Sequence, residues 1–199
     1  MAQSKRIIVG ISGASGALYA QQLVRSLLKA NVQVHLVVSP MGQRLLHDEL
    51  EYESIDLQKL AGDQEVSGIT LYPYRDVGAA IASGSFQTQG MVICPCSGNS
   101  LSAVATGSSG NLLHRAAQVI LKERRKLILL HREMPLSLID IRNMQLATEA
   151  GAIIAPANPG FYLLPKTIDD IVDFVVARLL DLLDIEHDLG QRWKGEPSQ

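Results

Sequence analysis

The chain has 199 residues, 47% of them hydrophobic and 19% charged, with a formal net charge of −2. This describes one folded, fairly apolar globule with enough length for a real core. The charge balance argues against a general nucleic-acid binder, and no apolar run is long enough to span a bilayer.

Low charge together with many small residues points to surface buried against other copies of the chain. Met1 to Arg6 leads directly into strand-like sequence, with no signal-peptide pattern, so a cytoplasmic location is expected. A short apolar run beginning at Arg6 and ending in glycines and serines reads as a strand, and Ala17 to Leu28 as a helix. Between them lies Gly10-Ile-Ser-Gly13-Ala-Ser-Gly16. Free N–H groups in such a turn and the positive end of the helix make a seat for a phosphate, with Ser12 and Ser15 able to cap the helix or bind the anion. An ordinary tight turn needing small residues accounts for the stretch equally well. It is not the dinucleotide fingerprint, because Ile11 stands where the first glycine belongs.

Val32 to Val38 reads as a second strand, ending at Ser39-Pro40, and a helix over about Gly42 to Leu50 follows. A dinucleotide enzyme usually places an acid at the end of this strand to hold a ribose hydroxyl. Val38 and Ser39 stand there instead, which counts against NAD and leaves a mononucleotide possible. Asp56 to Leu60 reads as a short helix and Ile69 to Tyr72 as a third strand. Ser83-Gly84-Ser85 is a second small-residue loop able to approach a ligand closely.

Gly90 to Cys96 reads as a buried strand, with Ser97-Gly98-Asn99-Ser100 as a polar turn into a helix over Leu101 to Ala105. Cys94 and Cys96 read as buried, reduced thiols. Asn111 caps a helix expected to run to Arg124. On it, Arg115 and Lys122 stand two turns apart, roughly 10 Å, on what reads by itself as a solvated basic face. Lys126 to Leu130 is a strand that ends at His131-Arg132-Glu133, where open α/β sheets put their chemistry. An ion pair between Arg132 and Glu133 is the plainer alternative.

Ser137 to Ala150 reads as a helix and Ala152 to Ala155 as a strand. A proline-stiffened loop from Pro156 to Pro165 carries Phe161 and Tyr162. Thr167 caps a terminal helix whose apolar stripe runs from Ile168 to Leu183. Arg178 stands near that stripe and needs an anion, either a carboxylate or a bound phosphate. Trp193 is expected to anchor the terminus or an interface. The alternation gives an α/β, Rossmann-like three-layer fold with a mainly parallel sheet. Three polar strand ends, at Gly13–Gly16, Ser97–Ser100 and Arg132–Glu133, fall on its ligand-binding edge.

An ordered set of segments resembles the UbiX flavin prenyltransferases. These are Val9 to Gly16, Ser83-Gly-Ser85, Met91 to Ser97, Arg115-Ala-Ala, Leu121-Lys-Glu-Arg-Arg125, Arg132-Glu133-x-Pro135 and Pro159-Gly-Phe-Tyr162. The resemblance spans nearly the whole chain and implies a single flavoprotein domain over residues 1–199, with a tail from about residue 185 packing at the surface or an interface. It implies transfer of a dimethylallyl group from dimethylallyl phosphate to N5 and C6 of reduced FMN. The prenylated FMN then serves UbiD-type decarboxylases. It further implies a metal-independent step and a dodecamer with active sites where subunits meet.

By the same resemblance, Gly13, Ala14, Ser15, Ser39, Ser97, Gly98, Asn99, Ser100 and Arg132 hold the flavin. Tyr162, Arg178, Arg115, Lys122 and Ser83 surround the donor phosphate. Glu133, Lys122, Ser15 and Glu49 take catalytic parts, Glu133 as proton acceptor and Ser15 as an aid to proton handling near the flavin. The sequence departs from some relatives at Gly98-Asn99, at Val77 (an aromatic elsewhere) and at Gln118 (an acid elsewhere). Rival readings are a flavin-dependent cysteine decarboxylase, an aromatic-acid decarboxylase and a non-catalytic flavin carrier or partner subunit. The Pro-x-Met-Asn-x-x-Met-Trp segment of the cysteine decarboxylases is absent.

Overall fold

The structure, a computed structural model, describes residues 5–190. Six strands form one sheet: β1 (Arg6–Ile11), β2 (Gln33–Val38), β3 (Ile69–Tyr72), β4 (Gly90–Cys96), β5 (Lys126–His131) and β6 (Ile153–Pro156). Every pairing is parallel, in the order β3-β2-β1-β4-β5-β6, so the sheet is wholly rather than mainly parallel. The helices are α1 (Ala17–Lys29), α2 (Pro40–Leu50), α3 (Leu57–Ala61), α4 (Gly98–Thr106), α5 (Leu112–Lys122), α6 (Leu138–Glu149) and α7 (Ile168–Leu182).

Strand alternation divides the core in two. Ile7, Val9 and Ile11 of β1 and Cys94 of β4 face a layer built from α1, α2, α3 and α7. Ile8 of β1 and Met91, Ile93 and Cys96 of β4 face α4, α5 and α6. A sheet covered on both sides needs strands apolar on both sides, which is why these strands read as continuous hydrophobic runs. The two cysteines are free and buried on opposite faces, although residues two apart in a regular strand share one; the pairing with β5 shifts register between Ile93 and Cys96, which turns Cys96 to the other side.

Helix ends differ from expectation for local reasons. Ser39 accepts from the Gly42 N–H at 2.9 Å, so α2 starts at Pro40, a residue suited to a first helical position. Ser97 accepts from the Ser100 N–H at 3.3 Å and starts α4 at Gly98 instead of Leu101. Helix α5 stops at Lys122 rather than Arg124, because Arg124 turns left-handed at φ 56°. Beyond α7, Ile185 is buried, His187 meets Asp181, and Asp188 pairs with Lys29, so the first part of the tail packs over α1 and α7. Trp193 lies outside the described residues.

His35 of β2 is buried between Tyr72, whose hydroxyl lies 2.9 Å from Nδ1, and the edge-on ring of Phe86. Burial, helped by the positive charge of Arg6, pushes its pKa down to about 4. The unfolded chain therefore binds the proton more readily than the folded one. Stability from His35 is complete above the ordinary histidine pKa of about 6.5 and is lost as pH falls toward 4, by at most on the order of 3 kcal/mol. Thermal unfolding between pH 7 and 4 should show a steeper loss for the native protein than for His35→Phe.

Candidate functional site

The strand order reverses between β1 and β4, and the crevice at their C-terminal ends is where such sheets bind ligands. One buried side chain fixes that crevice. Ser12 Oγ donates to Pro95 O at 2.9 Å and accepts from Ser97 N–H at 2.9 Å. The Ser12 N–H also donates to Pro95 O, at 3.2 Å. Ser12 is 2% exposed, so it joins the two turns and is not available to cap a helix or hold an anion.

The first turn follows at Gly13–Gly16. A Cβ on Gly13 would run into the Met41 side chain, and Gly16 adopts φ 130°, a conformation closed to residues with side chains. No side chain from the turn caps α1. Instead the Glu49 carboxylate, from the last turn of α2, accepts from Gly16 N–H at 3.0 Å and Ala17 N–H at 2.8 Å. The positive end of α1 is thus filled by the protein's own anion, and the phosphate seat expected there is corrected accordingly. Ala14 and Ser15 stand beside it, with Ala14 N–H bonded to Ser12 O at 3.0 Å.

The second turn begins α4. Gly98 and Asn99 occupy its first turn, where backbone N–H groups have no partner within the helix. Ser100 is 3% exposed, and its hydroxyl lies 3.2 Å from His114 Nε2 and accepts from Ser97 Oγ at 3.4 Å. Its side chain supports the turn from beneath. Burial holds His114 below the usual histidine pKa.

The third strand end joins the same place. A Cβ added to Gly98 would lie 3.6 Å from Asp140 Oδ1 and 3.9 Å from Glu133 Oε2. Glu133 Oε1 accepts from Met134 N–H at 3.1 Å, and no Arg132–Glu133 ion pair forms among the described residues. Both residues are exposed. His131 Nδ1 donates to Cys96 O at 3.0 Å, while its buried Nε2 has no partner. His114 and Asp140 were missed in the sequence, since isolated polar residues give no periodic signal, and His131 was named only as part of a polar strand end. Ser12 was seen but misread; continuing the alternation of β1 past Ile11 places it inward.

The expected phosphate ligands do not assemble in one protomer. Tyr162 and Arg178 line a cavity of about 700 Å³ in which every lining residue falls between Gly160 and Gly190. Arg178 donates to Asp181 at 2.8 Å, the carboxylate outcome weighed for it, and Tyr162 stacks edge-on against Phe174. Lys122 and Arg115 lie on α5, across the sheet from α7. Helix α5 runs from near the C-terminal edge of the sheet to its N-terminal edge, roughly 16 Å for 11 residues. Lys122 and Ser83 therefore sit at the opposite edge from the Gly13 and Gly98 turns.

Apolar side chains remain uncovered around these pieces. Met134 is 86%, Ile139 69% and Leu164 80% exposed, with Leu138, Ile141 and Phe161 close behind. Among the described residues no three His, Cys, Asp or Glu side chains gather into a metal-binding group, and no helix is long and apolar enough to cross a membrane.

Comparison with known proteins gives a consistent picture. The Flavoprotein family profile matches residues 1–180. A flavin prenyltransferase UbiX from Halalkalibacterium halodurans is 47% identical over 94% of this chain and 93% of its own length. The crystal structure of AnUbiX (PadA1) with FMN and dimethylallyl pyrophosphate superposes with TM-score 0.90 at 37% identity, over 98% of this chain and 100% of that one. A dodecameric FMN-dependent UbiX-like decarboxylase from Escherichia coli O157:H7 superposes with TM-score 0.87 at 41% identity, over 96% of this chain and 100% of that one.

Because the two turns share Ser12, its loss should be felt at both. Ser12→Ala leaves the Ser97 N–H without its acceptor, at a cost of about 1–3 kcal/mol. The expected outcome is a lower unfolding midpoint together with weaker flavin binding, measured by calorimetry and by flavin fluorescence.

Proposed function

The chain belongs to the Flavoprotein family, among its UbiX flavin prenyltransferases, and we propose that it transfers a dimethylallyl group from dimethylallyl phosphate to N5 and C6 of reduced FMN. The observation that carries this reading is the meeting of the Gly13 turn, the open N-terminus of α4 and the Glu133 carboxylate at the β1/β4 crevice. The residues there fit FMN. Unpaired N–H groups at Gly98 and Asn99 offer donors to its polar atoms, and a turn without bulky side chains at Gly13–Gly16 permits close approach. Ser15, Ser39 and Arg132 stand at the rim of the same edge.

Reduced FMN supplies the nucleophilic N5 and, for ring closure, C6, one ring-fusion carbon away. The protein holds it at short range from the donor, so positioning supplies much of the rate. Monophosphate is a poor leaving group, and the charge growing on it has to be met by Lys122, Arg115 and Arg178, with Tyr162 and Ser83 as hydrogen-bond donors. Arg178 then exchanges Asp181 for the phosphate. The bond to N5 would form as the C–O bond to phosphate breaks; closure onto C6 would consume the prenyl double bond, whose other carbon takes up a proton, while Glu133 accepts the proton released from C6. Glu49 fixes the Gly16–Ala17 end of α1 against α2, and in this reading Ser15 relays a proton beside it.

Such a site needs more than one copy of the chain. The cations stand on opposite faces and edges of one protomer, and the exposed apolar surface of α6 and of the Phe161–Leu164 loop provides the cover for self-association. A dodecamer, as described for the Escherichia coli relative, accommodates both. The product is destined for a UbiD-type decarboxylase, in the cytoplasm.

Incubation with reduced FMN and dimethylallyl phosphate should give, by mass spectrometry, flavin carrying one added five-carbon unit. Release of carbon dioxide from an aromatic or cysteinyl acid with no such gain would favour the decarboxylase readings. Lys122→Ala and Glu133→Gln are expected to retain FMN and to lower turnover about 100-fold or more. Loss of FMN from either would refute the roles assigned to them.

A shared site makes a separate prediction. Lys122→Ala and Arg178→Ala chains, each inactive alone, should regain part of the activity when co-assembled, because some sites then receive both native cations. Strict additivity of two inactive preparations, in a verified mixed oligomer, would place both residues in one protomer's site.

A further inference from the structure

The Leu121-Lys122-Glu123-Arg124-Arg125 segment carries more chemistry than Lys122 alone. On a regular helix adjacent side chains diverge and do not meet. Glu123, however, is the residue that ends α5, at φ −84° and ψ 5°. Its carboxylate consequently reaches back to Lys122, with Nζ and Oε1 3.2 Å apart. The next residue, Arg124, turns the chain at φ 56°, and Arg125 N–H closes on Ile120 O at 3.0 Å. That turn aims Arg125 at the loop preceding β4.

Arg125 holds the loop by its backbone. One guanidinium nitrogen donates to Phe86 O and the other to Gly84 O, each at 2.7 Å. The second nitrogen also lies 4.0 Å from Glu123 Oε2, and the Arg125 side chain is 14% exposed. Within the loop, Ser83 Oγ and Ser85 Oγ are 2.9 Å apart. Gly84 is where the parts meet. A Cβ there would collide with Glu123 Oε1 and would lie 3.3 Å from Lys122 Nζ. A side chain at this position would have to push the Glu123 carboxylate off its place beside Lys122.

We propose that Glu123 and Arg125 are positioning residues, which lock the Ser83-Gly84-Ser85 turn and the Lys122 ammonium into one preassembled cradle for the phosphate of the prenyl donor. This rests on the reading that Lys122 meets that phosphate. Arg125 fixes the height of the serine hydroxyls, and Glu123 holds a flexible, four-carbon lysine side chain over them. When a dianionic phosphate arrives, Lys122 exchanges one anion for another. Glu123 keeps Arg125 as its counter-ion, so no carboxylate is stranded by the exchange. Preassembly lowers the ordering cost of binding and acts on donor affinity, not on the flavin turn at the other edge of the sheet.

Arg125→Lys keeps the charge but cannot donate to two carbonyls from a planar fork. Glu123→Gln keeps the size but loses the charge that retains Lys122. Each variant is to be assayed for KM and kcat with dimethylallyl phosphate, for inhibition by inorganic phosphate, for FMN affinity and for unfolding midpoint. The expected result is a rise in KM and in the phosphate inhibition constant of roughly tenfold for Arg125→Lys and roughly threefold for Glu123→Gln, with kcat changed less and FMN affinity unchanged. Equal losses in kcat and FMN affinity, following the unfolding midpoint, would mark a structural role and overturn the proposal. So would an unchanged or lower KM in a well-folded variant. If Lys122→Ala itself leaves KM and kcat intact, the failure lies in the underlying reading and not in this step.

Discussion

Ser12 holds together the two halves of the sheet at the place where their direction of growth reverses. Parallel strands β1 and β4 are neighbours, yet the chain leaves them in different directions, into α1 and α4. The regular β1–β4 ladder stops at Gly10 and Ile93, with one further backbone bond from Ser12 N–H to Pro95 O. Beyond it, the Ser12 hydroxyl spends its proton on Pro95 O and a lone pair on the Ser97 N–H, carrying the pairing past the last ladder position. Ser97 in turn caps α4 and touches Ser100, which rests against His114 and so against Asn111 at the start of α5. A buried network is worth most when each member is satisfied, and here each atom of the chain from β1 to α5 has a partner.

That rigidity explains the division of labour. The Gly13 and Gly98 turns lie where the sheet is most constrained, whereas Lys122 and Tyr162, proposed to meet the donor phosphate, lie where elements end. Lys122 stands at the last residue of α5, and Tyr162 in the loop before α7. Elements that end at a surface can be completed by another copy, whereas a crevice between two central strands cannot. Most of the exposed large apolar side chains follow the same pattern, gathering on α6 and on the loops at 134–136 and 161–164 while the faces of the central strands β1 and β4 are sealed. In the proposed reading, function and assembly therefore draw on the same parts of the chain.

The strands were legible because burial on both faces writes a continuous apolar run, and β3 and β4 carry the bounds read for them. Helix starts were less so, because Ser39 and Ser97 were read as site residues and not as the caps that place Pro40 and Gly98 inside helices. The residues at the crevice were legible as small or polar strand ends. Their partners were not: Glu49 reaches α1 across 32 residues and Ser12 reaches Ser97 across 85, and no local pattern encodes contacts of that range. The distance between Lys122 and Arg178 was equally hidden, since helical spacing gives a face but not which side of the sheet that face covers.

The glycine-rich turn illustrates what such a motif does and does not specify. Small residues at Gly13 and Gly16 are required by the Met41 side chain and by a backbone angle of 130°, whatever binds there. The anion attraction expected of the α1 terminus is real, but Glu49 satisfies it, with two charge-assisted bonds from Gly16 and Ala17. A second anion at that terminus would face a carboxylate of like charge. The α4 terminus has no such occupant: Ser97 takes the Ser100 N–H and leaves those of Gly98 and Asn99 facing the crevice. The first turn thus contributes shape and the second contributes donors, so that a glycine pattern and an electrostatic seat, usually read as one motif, are here supplied by two different strand ends.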